Sequence, residues 1–403
     1  LPVRADQPGQ DQPQPRTGHG AHRGGGLPPL LPPRLSHRPS LHDAHRPRAG
    51  AVGPAGRPVV IDRPDAAQPD LSIVVITWNG WHWLEPCLAS LGENVRGPGR
   101  LAVEVIVVDN GSEDETLARL AERFPWAVAL PLGSNRGFAA AANAGLRRAQ
   151  GRHAVLLNND TLVPPGVFEA CVAYLDAHPD VGVVGPRLLA PDGREQNSVH
   201  AEPGLLTEIV PTWLLETLWP ARHPSKRYAH HEPLPVDAVL GACLVVRRAL
   251  LDEVGLIPED YFFFLEETDF CRNVRAAGHG VVHLPSVSVT HVHGASSKKR
   301  DPARTRIEYH RSLYRFFRKN RGPVALALVV GVRVAKSVLH VVVGLPAALS
   351  SRKGRERWRA RVRVLAWHLL GGPEGWGMAP VGWPQGRAAG DGTRAGETTT
   401  KGR

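Results

Sequence analysis

Three short apolar, β-branched runs, each ending in polar side chains, set the limits on what this chain can fold into. They are LSIVVI (71–76), VEVIVVD (103–109) and HAVLLNND (153–160). A strand with one wet face alternates apolar and polar residues. Continuous apolar strands instead belong to a parallel sheet covered on both sides. Segments of helical period at 81–91, 113–124 and 138–149 separate or follow the runs, and a further helix (166–177) and strand (181–185) extend the series. Strands alternating with helices at this spacing imply right-handed βαβ units. The predicted class is α/β, a Rossmann-like mixed sheet flanked by helices.

Further along, 205–235 is less regular, and VDAVLGACLVV (236–246) reads as a strand. YFFFLEETDFCRNVRAAGH (261–279) reads as a buried strand running into a helix, and strands at 280–284 and 287–292 close the domain. The expected globular domain therefore covers 70–297, with halves at 70–186 and 187–297. Residues 1–69 are rich in Pro, Gly, Arg, His and Gln without period, and are expected to form a disordered tail with no signal-type apolar stretch. Residues 373–403 are expected to form a second tail. The four cysteines lie far apart with no metal-type pairing, which suggests reduced, buried thiols in a cytosolic setting.

The net charge of +11 over 403 residues conceals a division. Residues 70–297 hold 17 Lys and Arg against 27 Asp and Glu, whereas 298–363 hold 19 against 3. An anionic partner is therefore to be sought at the C-terminal end. A nucleic-acid binder fits poorly, because the folded domain is acidic and few aromatics alternate with the basic residues. Within the basic segment 298–372, residues 323–349 are long and apolar, but Arg333 and Lys336 interrupt them. Arg333, Lys336 and His340 share one helical face, and Trp358, Val362, Leu365 and Leu369 form a stripe among arginines. Helices lying on an anionic membrane surface suit this pattern better than a span, which wants ~20 apolar residues. A basic hairpin packed on the domain is the plainer alternative.

No GxGxxG follows the first strand and no P-loop motif is present. Polar residues instead crowd the strand ends: Thr77 and Asn79 after the first, Asp109-Asn110-Gly111-Ser112 after the second, and Asn158-Asn159-Asp160 after the third. In an open α/β sheet these ends meet at one ligand crevice. A capping box from Ser112 and Glu115 would explain part of the second cluster but leaves Asp109 without a role. Asp160 offers a hard oxygen for a divalent cation, and Asn158 a neutral one. Asn135 and Gly137 open an Ala-rich helix, whose N-terminus suits phosphate. Glu266, Glu267 and Asp269 follow four aromatic residues, a costly place for three acids unless they are used. His291 and His293 would share one strand face.

In order and spacing, SIVVITWN, VIVVDNGSEDET, GSNRGFAAAANAGLRRA, LLNNDT, FFFLEETDFCRNVRAAGH and THVHGASS resemble family 2 glycosyltransferases of the GT-A fold. The rhamnosyltransferase-like branch is the most similar. The resemblance implies a bacterial, membrane-associated enzyme at the cytoplasmic face. It would transfer a sugar with inversion from a nucleoside-diphosphate donor, dTDP-rhamnose or a UDP- or GDP-sugar, to a polyprenyl-diphosphate-linked or glycan acceptor of cell-wall or surface-polysaccharide synthesis. It further implies donor contacts at Thr77, Asn79, Asp109, Asn135, Gly137 and Asn158. Mg2+ or Mn2+ would sit on Asp160 and on a histidine, His291 by the HxxGxS pattern. Glu267 would be the general base, with Glu266 and Asp269 orienting it or the acceptor. Asn158, where the family carries a first Asp, and Glu267, where many relatives carry Asp, depart from the pattern. They leave a catalytically inactive membrane scaffold as a further reading.

Overall fold

The structure, a computed structural model, describes residues 68–95, 101–225, 230–292 and 301–383. The expected N-terminal tail up to residue 67, His293 and the last part of the C-terminal tail (384–403) lie outside the described residues.

Four parallel strands form one half of the sheet: β1 (Leu71–Thr77), β2 (Val103–Asp109), β3 (Val128–Pro131) and β4 (His153–Asn158), in the order β3-β2-β1-β4. β10 (Cys243–Arg247) then runs antiparallel between β4 and β6 (Val181–Leu189). β11 (Gly280–His291) lies parallel to β6, and β5 (Thr161–Leu162) closes the edge antiparallel to it. β8 (Leu234–Pro235) also pairs with β11, and β7 (Val199–His200) with β9 (Ala238–Val239) makes a separate ribbon. The mixed α/β sheet expected from the apolar runs is present.

Successive residues of β1 serve opposite faces, as the pleat requires. Ile73 and Val75 pack with Leu84 and Leu88 of α1 (Trp81–Val95) and with Phe168 and Cys171 of α4 (Val167–Ala177). Val74 and Ile76 pack with Ala142 and Leu146 of α3 (Gly137–Arg148) and share their cluster with Phe270 and Val274 of α8 (Glu266–Ala276). α2 (Thr116–Arg123) and the short α5 (Leu205–Ile209), α6 (Thr212–Leu218) and α7 (Leu250–Val254) complete the domain. All four cysteines are buried free thiols, and burial pushes Cys87 up to about 12.

Several expectations need correction. Tyr261–Phe264 form no strand: Phe264 and Leu265 both adopt left-handed backbone (φ 74° and 68°), which breaks any ladder and delivers the chain abruptly into α8. The predicted strand at 236–246 is interrupted, because Leu240 donates its amide to Ser198 and leaves the ladder before β10 begins. The two closing strands are one, β11, with a register shift between Leu284 and Ser288 around Pro285. α2 begins at Thr116, so no Ser112–Glu115 capping box forms; Asp114 accepts the Thr116 amide instead.

Three helices follow: α9 (Pro302–Asn320), α10 (Gly322–Ser350) and α11 (Arg352–Leu369). Asp301 caps α9 by accepting from the amides of Ala303 and Arg304, and Pro302 occupies the position where no N–H is needed. Ser351 caps α11, which folds back along α10: Trp358 Nε1 donates to Val341 O and Arg361 to His340 O. Arg333 and Lys336 do not divide α10, because both turn inward. Arg333 pairs with the Glu208 carboxylate of α5, and Lys336 donates to the Glu208 carbonyl. Outward, Val324, Leu328, Val338, Val342, Leu345 and Leu349 form an exposed stripe of helical spacing without a charge. Residues 373–383 are packed rather than tail-like: Glu308 accepts from the amides of Met378 and Ala379, and Trp367 donates to Pro373 O.

Candidate active site

The carboxyl ends of β1, β2 and β4 carry the first cluster. Thr77 and Asp109 are partners in the β1–β2 register, and both are buried. One Asp109 oxygen, Oδ2, accepts from Ser112 N at 3.1 Å, while Oδ1 is buried with no hydrogen-bond partner in the structure. A buried carboxylate oxygen left unpaired is costly and calls for a donor from a ligand or water. Thr77 and Asn79, both expected at the donor, are engaged within the protein. Thr77 Oγ1 accepts from Asn159 at 3.0 Å, and Asn79, in left-handed backbone (φ 48°), accepts from Glu113 N and donates its own amide to Ser112. They shape the crevice by holding three loops together.

Asn110 is the key residue of the next loop. Its Nδ2 donates to Asn135 Oδ1 and Gly137 O, each at 3.1 Å, and its Oδ1 accepts from Arg136 N. Asn135 Oδ1 also accepts from Gly137 N, and Phe138 N donates to Phe262 O. The first two amides of α3 are thus already used, and the expected phosphate cradle there loses those donors. Gly137, with φ 79°, lies against Phe262 and Trp383, and the two rings meet edge to face at 5.0 Å. The aromatic loop and the C-terminal segment therefore close over the start of α3.

Past β4, the chain turns through Asn158-Asn159-Asp160 into β5. Asp160 and His291, expected as metal ligands, are together: Oδ1 lies 3.4 Å from Nε2, and both side chains are largely buried. Gln196 orients the imidazole. Its Nε2 donates to His291 O at 2.6 Å, so its Oε1 faces His291 Nδ1 at 3.1 Å as an acceptor. In neutral imidazole that bond fixes the proton on Nδ1 and leaves the Nε2 lone pair toward Asp160. A carboxylate oxygen and a lone pair facing each other suit a cation between them. The pair fits a divalent ion completed by ligand oxygens, with Asn158 adjacent.

The acids of α8 divide into three situations. Asp269 is fully buried and saturated: Lys319 Nζ donates to Oδ2 at 2.6 Å and Asn320 Nδ2 to Oδ1 at 2.8 Å. It joins α8 to the end of α9, with each oxygen already engaged by one donor. Glu266 is buried with Oε2 unpaired, and burial, aided by the neighbouring Glu267, holds its carboxyl well above the usual range. Glu267 is half-exposed beside Gly241, where a Cβ would lie 3.6 Å from its Cγ. The next residue, Ala242, accepts the Asn158 amide at 3.0 Å. The accessible acid of α8 thus shares a short connector with the Asn158–Asp160 turn.

In the sequence Asn110 carries no signal beyond its place at a strand end, and Gln196, Gly241, Lys319 and Asn320 carry none. Lys319 and Asn320 meet Asp269 50 and 51 residues away, Gln196 meets His291 95 residues away, and no local pattern marks them.

Residues 72–255 match the model of Glycosyl transferase family 2. The N-acetylglucosaminyl-diphospho-decaprenol L-rhamnosyltransferase of Mycobacterium tuberculosis is 33% identical over 262 residues, covering 61% of this chain and 83% of the relative. A low-salt glycan biosynthesis hexosyltransferase of Haloferax volcanii is 24% identical, covering 55% and 67%. A mannosyltransferase of Pyrobaculum calidifontis, solved with GDP-Man and Mn2+, superposes with a TM-score of 0.46 at 21% identity, covering 77% of this chain and 91% of that one. With a third of the aligned residues identical across most of the mycobacterial enzyme, the chain belongs to glycosyl transferase family 2 and is a nucleotide-sugar-dependent glycosyltransferase of the rhamnosyltransferase-like branch.

Proposed function

We propose that this enzyme transfers a sugar, rhamnose being the first candidate, with inversion from a nucleoside diphosphate to a lipid-linked saccharide at the cytoplasmic surface of a bacterial membrane. The observation that carries the reading is the convergence of Glu267 with the Asp160–His291 pair across the Gly241–Ala242 connector. Asp109 Oδ1 accepts a hydroxyl or N–H of the donor's nucleoside, which satisfies an otherwise orphaned oxygen. Asn135 and Gly137, fixed by Asn110, and Asn158 border the donor's diphosphate.

Glu267 accepts the proton of the acceptor hydroxyl while that oxygen bonds to the anomeric carbon. The bond from that carbon to the diphosphate breaks with its electron pair on the leaving oxygen, so the configuration inverts. Asp160 Oδ1 and His291 Nε2 would hold Mg2+ or Mn2+. Such an ion, when bound, neutralises charge on the departing diphosphate. Burial, with Glu267 adding to it, raises Glu266 well above the usual carboxylate range and so disfavours a second negative charge beside the base. Asp269 holds the turn in place through α9.

The membrane seat is α10. It is the one helix among the described residues long and apolar enough to cross a bilayer. Its 29 residues extend ~44 Å, more than the ~30 Å of a hydrocarbon core. α11 lies along it with Arg352, Arg355, Arg357 and Arg359 exposed. A crossing would drag those arginines into lipid at several kcal/mol. Lying flat, α10 buries its apolar stripe while α11 meets anionic headgroups.

Two measurements test this reading. Across a panel of nucleotide sugars with a polyprenyl-diphosphate saccharide, free nucleotide should appear for one sugar class only, with dTDP-rhamnose tried first. Equal, acceptor-independent release from every donor would count against transfer. Replacing Val338 and Val342 together by Gln should lower partition onto anionic vesicles roughly tenfold or more without unfolding the protein. High salt should weaken what remains. Binding that resists both salt and carbonate would indicate a span.

A further inference from the structure

Between α9, α10 and α11 lies a cavity of about 290 Å³ lined by Arg306, Arg333, Lys336, Arg361, His340 and Tyr309, with His310, Ser337 and Val364 completing the wall. Four permanent cations face one space, and none of the lining residues is acidic. The acid paired to this group is Glu208, which takes Arg333 through its carboxylate and Lys336 through its carbonyl. The nearby Glu308 is directed elsewhere, to the amides of Met378 and Ala379 and to Arg311. Four positive charges against one negative leave an excess of about three in a partly enclosed space. Arg306 and His340 are exposed at the mouth, whereas Arg333, Lys336 and Arg361 are partly buried, and the repulsion among these like charges favours an anion between them.

We propose that this cavity binds the diphosphate group of the enzyme's lipid-linked acceptor. A diphosphate has the oxygens to meet several guanidinium forks and an ammonium at once, and its charge matches the excess better than a singly charged phosphodiester does. The Tyr309 hydroxyl can add a donor. The location suits an acceptor. Tyr309 meets Phe264 edge to face at 5.9 Å, and Phe264 belongs to the left-handed turn that leads directly into Glu266 and Glu267. Ser312, one turn further along α9, donates to Phe263 O at 2.8 Å. A diphosphate anchored here lies one aromatic contact from the base, with the apolar outer face of α10 close at hand for a hydrocarbon chain. The histidines agree with a field awaiting an anion. Burial lowers His310 well below its usual range, and the repulsion of Arg333 adds to the effect. His368, in contact with His310, is lowered to about 4 for the same two reasons.

The inference rests on the acceptor being a lipid diphosphate, and the test keeps the two claims apart. Farnesyl diphosphate is titrated into the full-length protein by calorimetry, with inorganic pyrophosphate, glycerol phosphate and dTDP as competitors. Arg306→Gln and Lys336→Gln should each weaken farnesyl diphosphate roughly tenfold or more. Lys353→Gln removes the same charge outside the cavity and should leave it within twofold. Pyrophosphate should displace the ligand and dTDP should not, while dTDP affinity stays the same in the cavity variants. Displacement by glycerol phosphate as effectively as by pyrophosphate would assign the cavity to a bilayer phospholipid headgroup and overturn the acceptor assignment. Unchanged farnesyl diphosphate affinity in both cavity variants, with thermal melting preserved, would overturn the site itself. Tight, cavity-dependent binding without transfer from any nucleotide sugar would leave the site standing and remove the proposed function.

Discussion

Replacing Glu267 by Gln should lower turnover by roughly 10²–10⁴ while leaving nucleotide affinity nearly unchanged. The amide keeps the side chain's volume beside Gly241 and its capacity to hydrogen-bond, but it accepts no proton at catalytic pH. The proposed nucleotide contacts lie on other strand ends, at Asp109 and the Asp160 turn, so dTDP binding is the appropriate control. Glu266→Gln should behave differently. Burial raises the Glu266 carboxyl well above its usual range, which favours the neutral form that the amide mimics, and turnover should fall by less than tenfold. A severe turnover defect in Glu266→Gln with a mild one in Glu267→Gln would transfer the role of base one residue upstream. Asp269→Asn is expected to show itself in thermal melting, because Lys319 would lose a buried counter-charge.

The second large effect concerns the Asp160–His291 pair. Asp160→Ala should abolish the divalent dependence of nucleotide binding and lower turnover by about 10²–10³, since several kcal/mol of leaving-group stabilisation go with the ligand. Mn2+ affinity, read by electron paramagnetic resonance with dTDP present, gives a measure independent of catalysis. Gln196→Ala should weaken that affinity about 10–100-fold, the usual cost of losing the group that orients a ligating imidazole. Asn158→Asp should retain or tighten it. Full activity in excess chelator, or Mn2+ binding indifferent to all three substitutions, would return Asp160 to the status of a turn residue.

The donor half was legible because its signals are local. β1, β2 and β4 declared themselves as apolar runs, and the polar residues that end them fell at the crevice as the parallel order requires. The acceptor half was less so. Tyr261–Phe264 carry strong β propensity, yet that propensity reflects packing on a pleated surface, and here the rings pack against α9 and Trp383 instead. Arg333 and Lys336 looked like interruptions of an apolar segment because the carboxylate and carbonyl that receive them, at Glu208, stand 125 and 128 positions earlier. Asp269 looked like a third member of a catalytic cluster, and its saturation by Lys319 and Asn320 follows from how α9 docks. Residues 373–383 have a tail-like composition but satisfy Glu308 and cover Trp367.

The Asp269 clamp also bears on how such enzymes can be recombined. Lys319 and Asn320 are the last two residues of α9, and α10 starts at Gly322, so the bonds that fasten the first turn of α8 sit at the hinge of the α10–α11 hairpin. A cut placed where the charge composition changes, just after residue 297, would separate Asp269 from the two residues that hold it. The domain and the hairpin are therefore coupled through this clamp, and a chimera that trades hairpins should need a matching lysine–asparagine pair to keep α8 and its proposed base in place.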